Sequence, residues 1–340
     1  MRFYDITITP PLEEPSRFKA FSFSSQSGFG SDNYSCLKVD LDIYQNAYHQ
    51  YASNGYARVF GVNLKDLGQI GNYNPVITSD GRKVQLCGIA IQVGMSKGLP
   101  YANPKQRGII LEGAIIQAFA NWQGTEVTLD LVIVPGYVDP NALRNIPFNW
   151  YSKSQNQELT DAVKTALKIA YPTANINGSF SSGLIYTEDT QGQNFDLLTL
   201  SSTINQISKT IKKDPTYTGA VITVNSEGFF LTDSAITPAA TRQIAFTDVI
   251  GNLTWLGINT IQAKVVMRGD LNIGDYISFQ SGIPVLNVVN NNSQYRNRIS
   301  FNGVFFITKL HHVGSSRQAD GNAWVTIIEA IIPNLPINQT

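Results

Sequence analysis

The run Arg298-Ile-Ser-Phe-Asn-Gly-Val-Phe-Phe-Ile-Thr-Lys-Leu-His-His312, followed by Ala323-Trp-Val-Thr-Ile-Ile-Glu-Ala-Ile-Ile-Pro333, decides the fold class. Val304, Phe306, Thr308 and Leu310 fall on one face at period two, and Phe305, Ile307 and Lys309 fall on the other, which is the strand pattern. The polar loop 314–321 lets the two runs pair as a hairpin. Their partial apolarity on both faces suits a small closed barrel better than a flat sheet with one wet side. Upstream, Ile261-Gln-Ala-Lys-Val-Val-Met-Arg268 and Gly269-Asp-Leu-Asn-Ile-Gly-Asp-Tyr-Ile-Ser-Phe279 extend the same β unit back to Trp255.

A similar pattern occurs earlier. Leu111-Glu-Gly-Ala-Ile-Ile116 matches Phe301-Asn-Gly-Val-Phe-Phe306, and Thr128-Leu-Asp-Leu-Val-Ile-Val-Pro135 matches Thr326-Ile-Ile-Glu-Ala-Ile-Ile-Pro333. Lys83-Val-Gln-Leu-Cys-Gly88 echoes Lys264-Val-Val-Met-Arg-Gly269 more weakly. The interval from Gly113 to Thr128 is shorter than that from Gly303 to Thr326, and a longer second hairpin tip absorbs the difference. Glycine within a strand marks a bulge or a barrel corner. A duplicated barrel is expected.

At 340 residues the chain is long for one domain. Lys plus Arg and Asp plus Glu both number 25, and charged residues are 15% of the chain, below the roughly 25% of ordinary soluble proteins. No basic stripe is available for specific nucleic-acid binding. Near-zero net charge favours association. This suits either a secreted β protein with a polar surface or a subunit whose faces are buried in an assembly. Cys36 and Cys87 have no metal-ligand spacing around them and read as free buried thiols. The start Met1-Arg-Phe-Tyr-Asp5 lacks signal-peptide character, and no apolar run is long enough to span a bilayer, so neither export nor membrane insertion is expected.

In chain order, strands are expected at 4–9, 37–44, 57–64, 83–93, 108–120 and 126–134, the last two joined by the turn Asn121-Trp-Gln-Gly124. After Pro147 the period becomes helical: Leu159, Ala162, Val163, Ala166, Leu167 and Ala170, stopped by Pro172. A second helix runs from Leu197 to Ile211, opened by Asp196 or Asn194, and a hairpin turns at Asn225-Ser-Glu-Gly228. The fold class is therefore mainly β with a smaller α+β part. Two similar small β-barrels, 1–140 and 246–340, flank an α+β middle domain, 141–245.

No catalytic, cofactor-binding or metal-ligating set emerges. His311 and His312 are adjacent on a strand, so they point to opposite faces and cannot share a metal. His49 has no acidic or cysteine partner nearby in sequence. Gly28-Phe-Gly30 and Gly178-Ser-Phe-Ser-Ser-Gly183 lack the setting of a phosphate cradle. The carboxylate pairs Glu13-Glu14 and Glu188-Asp189 sit in loops. Arg268-Gly269-Asp270 spells an adhesion tripeptide but lies where one strand turns into the next. Trp122 and Trp324 flank hairpin ends, where an aromatic covers a barrel mouth or stacks on a sugar.

Together the Gly113 and Gly303 hairpins, the run Met267-Arg-Gly-Asp-Leu-Asn-Ile-Gly-Asp-Tyr-Ile277, the run Phe301 to His312 and the terminal Trp324-Val-Thr resemble the baseplate hub family of contractile-tailed bacteriophages, also found as the hub half of type VI secretion spike proteins. The resemblance covers the whole chain in domain order, with no single specific motif. No spike domain is expected after residue 340. The resemblance implies a homotrimer with pseudo-six-fold symmetry that joins the six-fold tail tube to a separately encoded three-fold central spike, contacts baseplate wedge proteins, and lines the channel through which the genome passes. It further implies no catalysis, no cofactor, and a place in the virion tail baseplate after assembly in the host cytoplasm. Two other expectations stand beside it: another tail-tip or distal adaptor protein, and a carbohydrate-binding or depolymerising β protein.

Overall fold

A computed structural model describes residues 2–11, 14–26, 32–46, 53–77, 84–96, 103–136, 145–215, 217–225, 228–235, 241–257, 259–279, 301 and 303–332. Its first part contains strands β1 (Arg2–Thr9), β2 (Phe21–Ser24), β3 (Lys38–Asn46) and β4 (Asn54–Phe60), then helix α1 (Leu64–Leu67). The short pair β5 (Val76–Ile77) and β6 (Val84–Gln85) follows, then β7 (Cys87–Met95), β8 (Gly108–Gln123) and β9 (Glu126–Pro135). The middle part has β10 (Ile146–Trp150), α2 (Ser152–Gln155), α3 (Leu159–Ala170), β11 (Asn175–Gly178), β12 (Thr190–Asn194), α4 (Leu197–Lys212), β13 (Ala220–Asn225) and β14 (Gly228–Asp233). The last part has β15 (Thr241–Ile244), β16 (Thr254–Trp255), β17 (Thr260–Val266), β18 (Tyr276–Phe279), β19 (Val304–Ser315) and β20 (Trp324–Ile331). The architecture is mainly β with a smaller α+β part, as the sequence indicates.

Two sets of five strands share one topology. In the first module the order is β3-β4-β9-β8-β7, and in the second it is β16-β17-β20-β19-β18, with every neighbour antiparallel. Numbering the five strands within each module, both read first-second-fifth-fourth-third. Both fourth strands carry a bulge at the same place: Ile116 is the extra residue between Ile115 and Gln117, and Thr308 between Ile307 and Lys309. Both third strands stop pairing just before that bulge, at Cys87↔Ile115 and Tyr276↔Phe306.

Each module turns one strand face into its own interior. Tyr4, Ile6, Val39, Leu41, Ile43, Val59, Ile91, Leu111, Leu129 and Leu131 pack in the first. Ile244, Trp255, Ile261, Val265, Ile277, Phe305, Ile307, Leu310 and Ile328 pack in the second. The first module's ends are tied by the Tyr4 hydroxyl, which donates to the Leu37 carbonyl. The second closes through the bridge Val249↔Val265 and a bond from Ile250 N–H to Lys264 O (2.8 Å). Each fully buried Ile or Leu contributes about 1.5–3 kcal/mol relative to exposure.

Several local expectations change. The Gly113 and Gly303 match is two residues out of structural register, because aligning the bulges sets Gly113 opposite Phe305. A Cβ on Gly113 would meet the Val134 backbone, whereas one on Gly303 meets nothing within 4 Å. The echo of 83–88 in 264–269 also fails: the former leads into a third strand, the latter ends a second one. The bulge at Thr308 breaks the expected alternation, so Phe305, Ile307 and Leu310 share one interior; an inserted residue exchanges the two faces of a strand. The strand expected to reach Leu64 stops at Phe60, because Asn63 caps α1 by accepting from Asp66 N–H. β8 continues to Gln123, past the expected turn start.

The middle part folds as its periodicity requires. Leu159, Ala162, Val163, Ala166, Leu167 and Ala170 are the buried face of α3, and Asp196 caps α4 by accepting from Thr199 N–H at 2.7 Å. They cover β10 and the sheet β11-β14-β13 around Trp150 and Phe229. Among the described residues no helix is long and apolar enough to cross a membrane.

The two β modules also touch directly. Gly108 and Gly269 approach backbone to backbone, and a Cβ on either would enter the other's main chain. Gly108→Ala is therefore expected to lower stability by about 2–4 kcal/mol in urea unfolding. Gly71→Ala, where a Cβ meets nothing within 4 Å, should stay within about 0.5 kcal/mol.

Candidate functional site at the seam between the modules

Past its bulge, β19 leaves β18 and pairs with β3 of the first module over seven residue pairs, from Lys309↔Asn46 to Ser315↔Asp40. The 13-stranded sheet is thus continuous through both modules. The expected longer second tip is present: β19 and β20 are separated by eight residues, against two between β8 and β9. That tip clamps the first module. Ser316 N–H donates to Val39 O (2.8 Å), the Ser316 hydroxyl accepts from Val39 N–H (2.9 Å), and Arg317 donates to Cys36 O. From the other side Arg2 donates to the Ser315 and Asp320 carbonyls.

Trp324 opens β20 but packs in the first module's core, and its indole N–H donates to Gly94 O at 2.9 Å. It therefore plugs one module with a side chain from the other. Trp122, by contrast, is 67% exposed at the β8–β9 tip. The two tryptophans that look alike in sequence have different roles.

Beside the seam lies a buried charge cluster. Arg268, 4% exposed, reaches Asp248 at 3.0 Å and Asp270 at 2.7 Å, and its N–H donates to the Thr326 hydroxyl. Gln106 of the first module donates to the same Asp248 (2.6 Å), and Gly269 N–H donates to Gln106 O (2.9 Å). The tripeptide 268–270 thus serves the seam with a buried arginine rather than presenting it to solvent. A cleft of about 710 Å³ opens nearby, lined by Gln45 and Glu112 of the first module, Val224 and Phe230 of the middle part, and Asn272 and Asp275 of the second module.

The adjacent histidines part as expected. His311 is on the outer face, 2.7 Å from Asp42 and edge-on to Tyr44. His312 is fully buried, with Nδ1 2.9 Å from the Thr326 hydroxyl and Nε2 without a partner among the described residues. Burial, helped by the neighbouring His311, pushes its pKa down to about 3.

Three further carboxylates are committed locally. Asp130 is buried; burial alone would raise its pKa, but hydrogen bonds from Tyr56, Arg58 and Thr128 outweigh that and lower it. Asp233 accepts from Ser181 N–H and hydroxyl, Tyr217 hydroxyl and Ala235 N–H, filling the turn of the 178–183 glycine-serine loop from within. Asp189 caps α2 by accepting from Lys153 and Ser154 N–H, while Glu188 is exposed. Cys36 and Cys87 are free and buried, and burial raises the Cys87 thiol to about 11, a protonated, unreactive state at neutral pH. His49, Glu13, Gly28 and Gly30 lie outside the described residues. No group of three or more His, Cys, Asp or Glu that could hold a metal occurs among those described.

Two measurements probe the seam. Arg268→Ala leaves Asp248 buried without its cation and Asp270 with only Arg242, 3.8 Å away, and should cost about 3–5 kcal/mol of unfolding free energy. His312 stays neutral when folded but takes a proton at about 6.5 when unfolded, so its contribution is full above that value and is lost as pH falls through it. Chemical unfolding at pH 7 and pH 5 should differ by about 2 kcal/mol from this group. His312→Leu should remove that part of the slope.

No protein-family model matches the chain, and no curated protein matches it by sequence. Among solved structures, the 43 kDa tail protein of prophage MuSo2 from Shewanella oneidensis aligns with a TM-score of 0.50 at 8% identity, covering 97% of this chain and 98% of that one. A tail protein from Neisseria meningitidis MC58 aligns with a TM-score of 0.47 at 10% identity, covering 96% of each. With so few identical residues, the first likeness is one of fold alone. Over nearly its whole length, this chain is similar in fold to a phage tail protein.

Proposed function

We propose that the protein is a structural, non-catalytic component of a contractile phage tail: the baseplate hub, a homotrimer with pseudo-six-fold symmetry. The observation that carries this reading is the pair of β modules with one strand order, one set of orientations and one bulge position, held rigidly in a single chain. Three such chains present six quasi-equivalent modules. A ring of that kind docks on the six-fold tail tube while keeping three-fold symmetry for a central spike, and cyclic closure covers sheet edges that would otherwise be exposed. Wedge proteins contact its outside, and the genome passes through its lumen without specific recognition, in keeping with balanced charge. The fold shared with the prophage tail protein supports a place in the virion tail.

Light scattering of the purified protein at micromolar concentration should give three times the 37.4 kDa chain mass, and electron micrographs should show six-lobed rings. A ring of another order would identify a different tail adaptor. A strict monomer, with or without spike protein, would falsify the hub reading.

A further inference from the structure

Strand β19 passes from one hydrophobic core into the other. On its inner face Leu310 packs in the second module's core. Further on, Gly314 lies against the Trp324 ring and Met267, both part of the first module's core. Between them comes His312, fully buried, paired with Ile43 of β3 on one side and with Thr326 of β20 on the other. The seam therefore carries an ionisable ring where two apolar cores meet. The Thr326 hydroxyl is already in use: it accepts from Arg268 N–H (3.0 Å) and donates to the Met267 sulfur, 3.7 Å away. Nδ1 of His312 is then the donor to that hydroxyl, and Nε2 keeps a bare lone pair with no partner among the described residues.

We infer that His312 makes the seam an acid-sensitive latch: proton uptake at Nε2 parts β3 from β19 and frees the tip at Ser316 and Arg317, while each set of five strands stays paired.

A second proton puts an N–H among apolar groups with no acceptor, a charge buried without a counter-ion. The charged groups of the surrounding elements do not relieve it. On β3, Asp42 and Tyr44 lie on the outer face with His311. On β19 itself Lys309 shares that outer face and is held by Glu329 of β20. On β4, Tyr56 and Arg58 are committed to Asp130. After β17 comes Arg268, a further cation, already matched by Asp248 and Asp270. From β1, Arg2 adds another cation at the tip carbonyls. The imidazolium must therefore reach water, and the seam is the short way out. Opening it on the β3 side breaks one ladder and the tip bonds but spares the β19–β20 and β3–β4 ladders that hold each module. Burial keeps the folded ring near pKa 3, against about 6.5 in water. The latch is thus fully closed above that higher value and weakens as pH falls below it, by up to about tenfold per pH unit. None of this depends on how many chains assemble.

Amide hydrogen exchange of the full chain at pH 7 and pH 5, corrected for intrinsic rates, tests this. The amides bonded between β3 and β19 report the seam, the β8–β9 ladder reports the first module, and β13–β14 reports the middle part. Protection of the seam amides should fall roughly 25-fold between the two pH values. At pH 5 they should exchange ahead of both other ladders and with a shallower urea dependence, the mark of a partial opening. His312→Leu and His312→Gln, which cannot titrate, should each remove the fall. Wild-type seam amides whose protection is the same at both pH values, or which exchange only in step with β8–β9, overturn the inference without any variant. So does a fall of full size that persists in a folded variant.

Discussion

The ladder between β3 and β19 is the constraint on which the rest of the molecule depends. Two β modules joined only by chain would move relative to one another, the usual condition of linked domains. Seven residue pairs of continuous sheet remove that freedom. Cross-strand pairs contribute roughly 0.2–1 kcal/mol each, and the ladder is backed by stronger terms: Trp324 sunk in the neighbouring core, Gly108 against Gly269, and Arg268 neutralised by two aspartates at the same seam. The modules consequently act as one rigid body.

This rigidity explains where a charge-poor chain places its charges. Arg268, Asp248 and Asp270 sit at the seam, Asp130 holds Arg58 and Tyr56 across strands, and Asp233 ties a loop to the middle part. A buried arginine with two carboxylates need not add net stability, since desolvation opposes the Coulombic gain. What it does is penalise any sliding of 268–270 relative to Gln106 of the first module.

The sequence made the β character and the two amphipathic helices legible, because period two, period 3.6 and turn residues are local signals. The residues that suggest an internal likeness are not the ones that correspond in strand order. Gly113 and Gly303 look equivalent but are two positions apart in register, since the equivalence lives in strand order and bulge position and not in side chains. A bulge has no reliable composition, so the change of face at Thr308 was invisible. The seam was invisible too. Nothing in Val39-Asp-Leu-Asp-Ile43 says that its partner lies near the opposite end of the chain, and Trp324 does not announce that it fills the other module's core. One hint existed: the longer second hairpin tip, which became the clamp.

That tip also distinguishes the two strand sets. The fourth strand of the second carries an eight-residue tip whose Ser316 and Arg317 bond to the first module. The fourth strand of the first has a two-residue tip, and past its bulge the side chain of Asn74 bonds to Ala118 instead. Two sets of five strands with one order and one bulge position thus differ where each fourth strand runs on past its bulge. Shared topology fixes how each set pairs internally, and the length of a single hairpin tip decides whether it also grips its neighbour.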